Sequence, residues 1–252
     1  MEMIWGINIG LLLGLFIPPL LYAILIFFTS PYRSVSFSNG LLFMIGGIVS
    51  VTILQTTYFL IPSLESNGYN YFSKFFIKIG PLEEFVKYIM FVIIMLFVNK
   101  NKVSEHPFRY MFYFSLVGLG FAMIENIGYV KIYGEEVLYV RTFSSTIMHM
   151  IFGLLFGYWI GLSTISKKKF ENRSVFGVIT RRYKKIRTLT YTLIGFMFAS
   201  IYHGLWNYNL ATSDKSTQTI MIILIIFGLL TSKLLTNDLN NQWRNRSFSG
   251  ER

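Results

Sequence analysis

The sequence predicts an all-α, polytopic membrane protein, a bundle of about seven transmembrane helices. Hydrophobic residues make up 53% of the 252 residues, charged residues only 14%, and the mean hydropathy is +0.51. Several apolar runs also reach the length of about 18 residues that reads as a membrane span. Because lipid offers no partner for open backbone groups, each run is expected to form a helix.

The predicted spans form one transmembrane domain, residues 1–235, and a short polar tail at 236–252 follows it. Because the tail is short and polar, we expect it to be loosely ordered. The spans are predicted at Ile4–Phe28, Gly40–Pro62, Phe75–Val98, Arg109–Val130, Thr142–Ile165, Thr188–Ala211 and Gln218–Leu235.

The distribution of Lys and Arg between the loops predicts the orientation, because basic loops stay in the cytoplasm. The connection between the fifth and sixth spans carries the largest basic cluster: Lys167, Lys168, Lys169, Arg173, Arg181, Arg182, Lys184, Lys185 and Arg187. With this loop inside, alternation places the amino terminus outside and the carboxyl terminus inside. Most of the basic residues behind the net charge of +11 are therefore expected on the cytoplasmic side of the membrane. Anionic lipid is the expected partner of this loop, and no nucleic-acid partner is expected.

Ionisable residues interrupt four of the apolar spans. They are Glu83, Glu84, Lys87, Glu125, His149 and His203. An unpaired charge at the centre of a span costs about 2.5–3.5 kcal/mol, so these groups must face one another, a metal or water. At a helix rise of about 1.5 Å per residue, the glutamates and histidines fall within a layer of roughly 5 Å, about 8–12 Å below the outer surface. One common depth predicts one site.

Small residues share a helix face with each histidine. His149 is followed at intervals of four by Gly153, Gly157 and Gly161, and the sixth span repeats the pattern with Gly195, Ala199, His203 and Asn207. Stripes of this kind let helices approach closely in lipid. Both histidines are therefore expected to point into the bundle. Glu83 and Lys87 are four residues apart and can form an ion pair along their helix.

These side chains could assemble a hydrolytic metal site. Two imidazoles and a carboxylate are a common ligand set for zinc, which keeps a further position for water. The predicted ligands are His149, His203 and one glutamate, given as Glu84; Glu83, Glu84 and Glu125 are all candidate catalytic carboxylates, and which one is ligand and which one is base stays open. Another glutamate, Glu83 or Glu125, would then act as the general base, and Asn126 or Asn207 would stabilise an oxyanion. A metal-free carboxylate–histidine pair acting directly on water remains an alternative.

Other hydrolytic sites are excluded by the sequence. There is no cysteine, and therefore no thiol nucleophile or thiolate metal site. Neither the HExxH motif of soluble zinc proteases nor the GxSxG motif of serine hydrolases occurs. Asp214 and Asp238 lie at or beyond the ends of the predicted spans, so no intramembrane aspartate pair exists.

Four motifs in consecutive spans resemble the PrsW family of bacterial intramembrane proteases. They are Glu83-Glu84-x-x-Lys87, Phe121-x-x-x-Glu125-Asn126, His149-x-x-x-Gly153 and His203-x-x-x-Asn207. The resemblance implies a catalytic core within residues 75–211 and a multi-pass protein of the bacterial cell membrane. It also implies an endopeptidase that makes the first cut in a single-pass membrane protein, such as an anti-sigma factor, on the extracytoplasmic side.

The sequence leaves other function classes open. The PrsW family is distantly related to the type II CAAX prenyl proteases and to bacteriocin-processing membrane proteases. Those relatives carry a histidine and an arginine where this chain has Glu125 and Lys87, so CAAX-type processing is disfavoured. A non-catalytic immunity protein is a further alternative. An ion- or proton-coupled transporter is another, although the chain shows none of the internal repeats common in transporters.

Overall fold

Helices form all the regular secondary structure that the structure describes. The structure is a computed structural model that describes residues 9–30, 35–61, 70–98, 106–171, 177–212 and 215–248. In chain order the helices are α1 (Ile9–Thr29), α2 (Phe37–Leu60), a π-helical stretch (Ser73–Ile79) that continues directly into α3 (Gly80–Phe97), α4 (Phe108–Tyr133), α5 (Val137–Phe143), α6 (Ser145–Glu171), α7 (Gly177–Ala211) and α8 (Lys215–Phe248). The prediction of an all-α membrane bundle is confirmed.

Five helical segments in the described part of the chain are long and apolar enough to cross a membrane. They are Gly10–Thr29, Phe37–Leu60, Phe108–Tyr133, Val137–Ile165 and Thr217–Asn245. The predicted third and sixth spans correspond to α3 and α7, which are more polar. Glu83, Glu84 and Lys87 all lie in α3. Because these side chains are buried, the polarity of α3 belongs to the interior of the bundle and not to its outer surface.

The helices pack in the directions that alternating spans require. Gly118 of α4 lies against His149 of α6, and Gly161, further along α6, lies against Pro107 at the start of α4. These two helices are therefore antiparallel. Ile151 and Tyr158 of α6 contact Gly228 and Asp238 of α8 in the same order, so α6 and α8 are parallel. Consecutive spans are expected to run in opposite directions and alternate spans in the same direction.

The central helix of the bundle is α4. Every residue from Met111 to Met123 is buried, as expected for a helix that is surrounded by protein on all sides. Glycines allow its closest contacts, because a Cβ atom on Gly153 of α6 would lie 2.5 Å from the Phe114 carbonyl oxygen. In contrast, α1 and α8 present exposed leucine, isoleucine and phenylalanine side chains, which suit the lipid-facing surface.

Two details of the structure differ from the predicted boundaries. The fifth span was expected to begin at Thr142, but this residue belongs to the short helix α5, and α6 begins only at Ser145. The helical conformation is interrupted at Ser144, where φ is −127° and ψ is −85°. A separate helix thus lies between α4 and α6, at the end of the bundle where α4 and α7 end. We call this the outer end, and the sequence predicts that it is extracytoplasmic.

The segment after Leu235 is helical through Phe248, contrary to the expected loosely ordered tail. Tertiary contacts explain the difference. Leu239 is fully buried near Gly161, and Asp238 accepts hydrogen bonds from Tyr158 and Gln242, both at 2.7 Å. The ring of Trp243 packs edge-on against His106. These contacts hold the end of α8 against the bundle.

Candidate functional site

The predicted glutamates and histidines converge at the outer end of the bundle. Glu83 and Glu84 lie near the start of α3, Glu125 in α4, His149 near the start of α6 and His203 in α7. A Cβ atom on Gly80 would lie 2.8 Å from the Ser200 carbonyl oxygen of α7. The lack of a side chain at Gly80 therefore lets the start of α3 approach α7 beside His203.

Glu83, His149 and His203 form a group that could hold a metal ion. Each offers one ligand atom, and these three atoms lie within 4.8 Å of one another. The imidazole ring centres are 5.1 Å apart and the rings are nearly perpendicular, at 89°. Glu83 Oε2 is 3.5 Å from His203 Nε2 and, although buried, makes no hydrogen bond with the protein. An unsatisfied buried carboxylate oxygen is costly, so it fits a position that binds a cation.

Glu84 is fully buried and orients His203. Its Oε1 atom lies 2.7 Å from Lys87 Nζ and 2.9 Å from His203 Nδ1. A carboxylate only accepts hydrogen bonds, so His203 Nδ1 is the donor, and in a neutral imidazole Nε2 then carries the lone pair on the side of Glu83. Metal-binding histidines are commonly oriented in this way by a carboxylate.

The group of atoms within 4.8 Å thus contains Glu83 and not Glu84, the glutamate predicted as a ligand. Both contacts of Glu84 Oε1 are directed to side chains of the protein interior. The predicted ion pair between Glu83 and Lys87 is present at 3.9 Å, but Lys87 lies closer to Glu84.

Lys87 also contacts the second histidine. Its Nζ atom is 3.0 Å from His149 Nδ1 and 4.0 Å from the centre of the Phe121 ring. Because an ammonium group only donates, His149 Nδ1 accepts, and Nε2–H donates to Glu125 Oε2 at 2.9 Å. Both nitrogens of His149 are thus engaged. Binding a metal would require His149 to exchange one of these contacts.

Arg141 is part of the site, although the sequence did not identify it as such. It lies in α5, where Nη2 is 2.5 Å from Glu125 Oε2 and Nε is 2.6 Å from Asn126 Oδ1. Its guanidinium carbon stands 3.6 Å above the Tyr129 ring. In the sequence Arg141 reads as an ordinary basic residue of an outer loop. The one sequence signal for this role was position. Arg141 follows the intramembrane Glu125 across a short connection, so it could reach back to that carboxylate.

A cavity of about 520 Å³ connects the site to the outer end. Glu83, Glu125 and Arg141 line its deeper part, and Tyr133 and Ala211 line it near the helix ends. Of the two predicted oxyanion-stabilising residues, Asn207 lines the cavity. Asn126 is instead buried between Arg141 and Thr146 and donates to Thr146 Oγ1 at 3.0 Å. Asn207 is therefore the asparagine that a substrate could reach.

Curated proteins similar to this chain include bacterial proteases. "Protease PrsW" of Oceanobacillus iheyensis is 28% identical over 195 residues, which cover 76% of this chain and 80% of that protein. "Protease PrsW" of Shouchella clausii is 26% identical over 191 residues, covering 75% and 78% of the two chains. "Protease PrsW" of Bacillus subtilis is 26% identical over 194 residues, covering 76% and 79%. No solved structure matches the chain significantly.

The family profile described as "PrsW family intramembrane metalloprotease" matches residues 39–232. This range contains all the glutamates and histidines that converge in the structure, together with Lys87 and Arg141. It covers most of the chain, and the curated relatives agree with it. The chain is therefore a multi-pass bacterial membrane protease that belongs to the PrsW family of intramembrane metalloproteases.

Proposed function

We propose that the chain is a zinc-dependent endopeptidase that cuts a single-pass membrane protein near the extracytoplasmic end of its span. The observation that carries the proposal is the convergence of Glu83, His149 and His203 within 4.8 Å, with Glu83 also lining the cavity. Imidazole nitrogens and a carboxylate oxygen are ligands that zinc accepts in catalytic sites. When bound, the metal would polarise the scissile carbonyl and lower the pKa of a water molecule.

In this proposal Glu125 acts as the general base. Arg141 and His149 both contact its Oε2 atom, which leaves Oε1 for the cavity. The Glu125 side chain is 21% exposed, whereas that of Glu84 is 0% exposed. Glu125 would take a proton from the attacking water and deliver it to the leaving amine. The base must reach the water, and Glu84 lacks that access.

Asn207 and Glu84 are the remaining residues of the proposed active site. Asn207 lines the cavity and can donate a hydrogen bond to the oxygen that becomes negatively charged when water attacks the carbonyl. Glu84, through its contacts with His203 and Lys87, holds the imidazole in one orientation. Glu84 therefore supports the reaction without touching the substrate.

The position of the cavity supports the proposed substrate class. An intact helix does not expose its peptide bonds, because the backbone hydrogen bonds remain closed in lipid. The segment cut is therefore expected at the boundary of the membrane, where the substrate helix ends. An anti-sigma factor with one span is the substrate type that the resemblance to the PrsW family suggests. Membrane lipid is the proposed surrounding medium.

Metal dependence is tested with purified protein in lipid nanodiscs and a single-pass candidate substrate. Cleavage should stop with a chelator and return with added zinc. Glu83→Gln should lower both the bound metal and the rate, while the matched control Glu136→Gln, at an exposed glutamate of the outer end, should leave both unchanged. Full activity of metal-free protein would overturn the metal assignment.

The position of the cut is tested by mass spectrometry of the membrane-bound fragment. We expect its new amino terminus near or just outside the extracytoplasmic end of the substrate's span. A fragment cut in the cytoplasmic half of the span would contradict the depth of the site. Glu125→Gln serves as the inactive control and should leave the substrate intact.

A further inference from the structure

We propose that Arg141 binds the substrate backbone in the cavity and at the same time aims Glu125 at the scissile bond. This inference rests on the proposed function of the same site. Arg141 would be a substrate-binding and positioning residue contributed by α5, the short helix between α4 and α6.

The first observation is that Arg141 holds one oxygen of Glu125. Its Nη2 atom is 2.5 Å from Glu125 Oε2, the oxygen that also contacts His149 Nε2 at 2.9 Å. Two contacts at one oxygen fix the rotation of the carboxylate. The other oxygen, Oε1, is thereby directed away from both partners, and Glu125 lines the cavity. Loss of Arg141 would leave Glu125 held by His149 alone.

The second observation is that the guanidinium group is itself rigidly placed. Nε donates to Asn126 Oδ1 at 2.6 Å, and Asn126 is held in turn by Thr146. The guanidinium carbon lies over Tyr129, 3.6 Å from the ring centre. The helix carrying it is fixed against α1, where Tyr22 donates to the Thr142 carbonyl oxygen at 3.2 Å. A rigidly held donor loses little entropy when it binds a ligand.

The third observation is that some donors of Arg141 remain available to a ligand. A guanidinium group has five N–H donors, and the contacts with Glu125 and Asn126 use two of them. Arg141 is only 5% exposed, and it lines the cavity together with Glu83 and Asn207. None of its nitrogens is among the fully buried side-chain atoms that lack a partner in the described residues. The remaining donors are therefore not sealed inside the protein, and the cavity that Arg141 lines gives a peptide access to them.

A peptide in extended conformation presents carbonyl oxygens that suit these donors. Its backbone has lost the internal hydrogen bonds of a helix, and each carbonyl then needs a partner away from water. Arg141 can supply that partner beside Glu83 and Glu125. A lysine offers a point charge without the planar fork, so it could not hold Glu125, Asn126 and a carbonyl at once.

The test compares Arg141→Ala, Arg141→Lys and Arg109→Ala in nanodiscs. Arg109→Ala is the matched control, because Arg109 also stands over a tyrosine ring, Tyr110, at the opposite end of α4. We expect Arg141→Ala to lower kcat/KM about 100-fold, the scale of a misaligned catalytic group. Arg141→Lys should be only partly active, and Arg109→Ala should cleave at the wild-type rate. Metal content should be unchanged in all three.

Chemical rescue separates this role from a merely structural one. Guanidinium chloride at low millimolar concentration should raise the rate of Arg141→Ala several-fold, because the cation can enter the emptied part of the cavity. Urea, which has a similar shape without charge, should not, and neither should sodium chloride at the same ionic strength. Wild-type rates for Arg141→Ala, or an absence of guanidinium rescue, would overturn the proposal.

A binding measurement keeps the inference testable without cleavage. A fluorescent peptide with the juxtamembrane sequence of a single-pass protein is titrated onto Glu83→Gln and onto Glu83→Gln combined with Arg141→Ala. We expect at least about 10-fold weaker binding to the double variant, as for one lost charge-assisted hydrogen bond. Equal affinities would refute the substrate contact. If Arg141 affects binding but no protein cleaves, the proposed function fails and the binding role stands.

Discussion

His203 Nδ1 lies 2.9 Å from Glu84 Oε1, and this contact leaves Nε2 as the nitrogen that faces Glu83. The carboxylate accepts a hydrogen bond from Nδ1–H, so in the neutral imidazole the lone pair of Nε2 is on the side of Glu83. Two adjacent glutamates in α3 thereby take different parts. Glu84 orients an imidazole from the protein interior, and Glu83 contributes an oxygen to the group that could bind a metal.

Replacing Glu84 by glutamine should weaken metal binding while the protein still inserts. The histidine would lose its anionic partner, and such losses typically lower metal affinity about 10–100-fold. Lys87 would still have a carboxylate partner, because Glu83 Oε2 lies 3.9 Å from its Nζ atom. Zinc titration and cleavage rates of Glu84→Gln are compared with those of Glu136→Gln. Unchanged zinc affinity would show that Glu84 does not orient the ligand.

Gly153 should not tolerate even a methyl group. A Cβ atom there would lie 2.5 Å from the Phe114 carbonyl oxygen and 2.6 Å from Ser115 Cα, so the α4–α6 contact would have to open. We expect Gly153→Ala to destabilise the bundle by about 1–3 kcal/mol. At Gly128 nothing lies within 4 Å, so Gly128→Ala should be neutral or stabilising. Thermal unfolding in detergent distinguishes the two, and equal midpoints would contradict the close packing.

His106 should make the stability depend on pH below neutrality. It precedes α4 and is buried beside Trp243, and burial lowers its pKa from 6.5 to about 4. The unfolded chain therefore binds a proton first, so stability is lost as the pH falls from about 6.5 to about 4. Between pH 7.5 and pH 5 the Tm of the wild type should fall more than that of His106→Gln. Parallel losses in both proteins would exclude His106 as the cause.

The connection between α6 and α7 should be cytoplasmic. Ser174 lies in it, outside the described residues, and its basic neighbours resist export. The chain has no cysteine, so single cysteines can be introduced without background. An impermeant thiol reagent added to intact cells should label Glu136→Cys and spare Ser174→Cys. The reverse pattern would invert the predicted orientation of the whole bundle.

The class of the protein and the composition of its site could be predicted because both depend on local patterns. A run of apolar residues specifies a membrane helix wherever it occurs, and Lys and Arg in the loops specify its direction. Together these two patterns assign each polar residue a depth. Glu83, Glu84, Glu125, His149 and His203 were expected in one layer for this reason, and the structure brings them together.

The partner of each side chain was decided only by the tertiary structure. Glu83 and Glu84 differ by a rotation of about 100° around their helix, so the neighbouring helix determines which one faces the cavity. Arg141 contacts Glu125 because the chain ends α5 at Phe143 and begins α6 at Ser145, a break that composition does not reveal. The helical end of α8 likewise depends on contacts with α6 and His106. Sequence patterns determine the direction of each helix and the depth of each residue along its axis. Hydrogen-bond partners depend on how each helix is rotated and how closely its neighbours approach, and both are set only when the bundle packs.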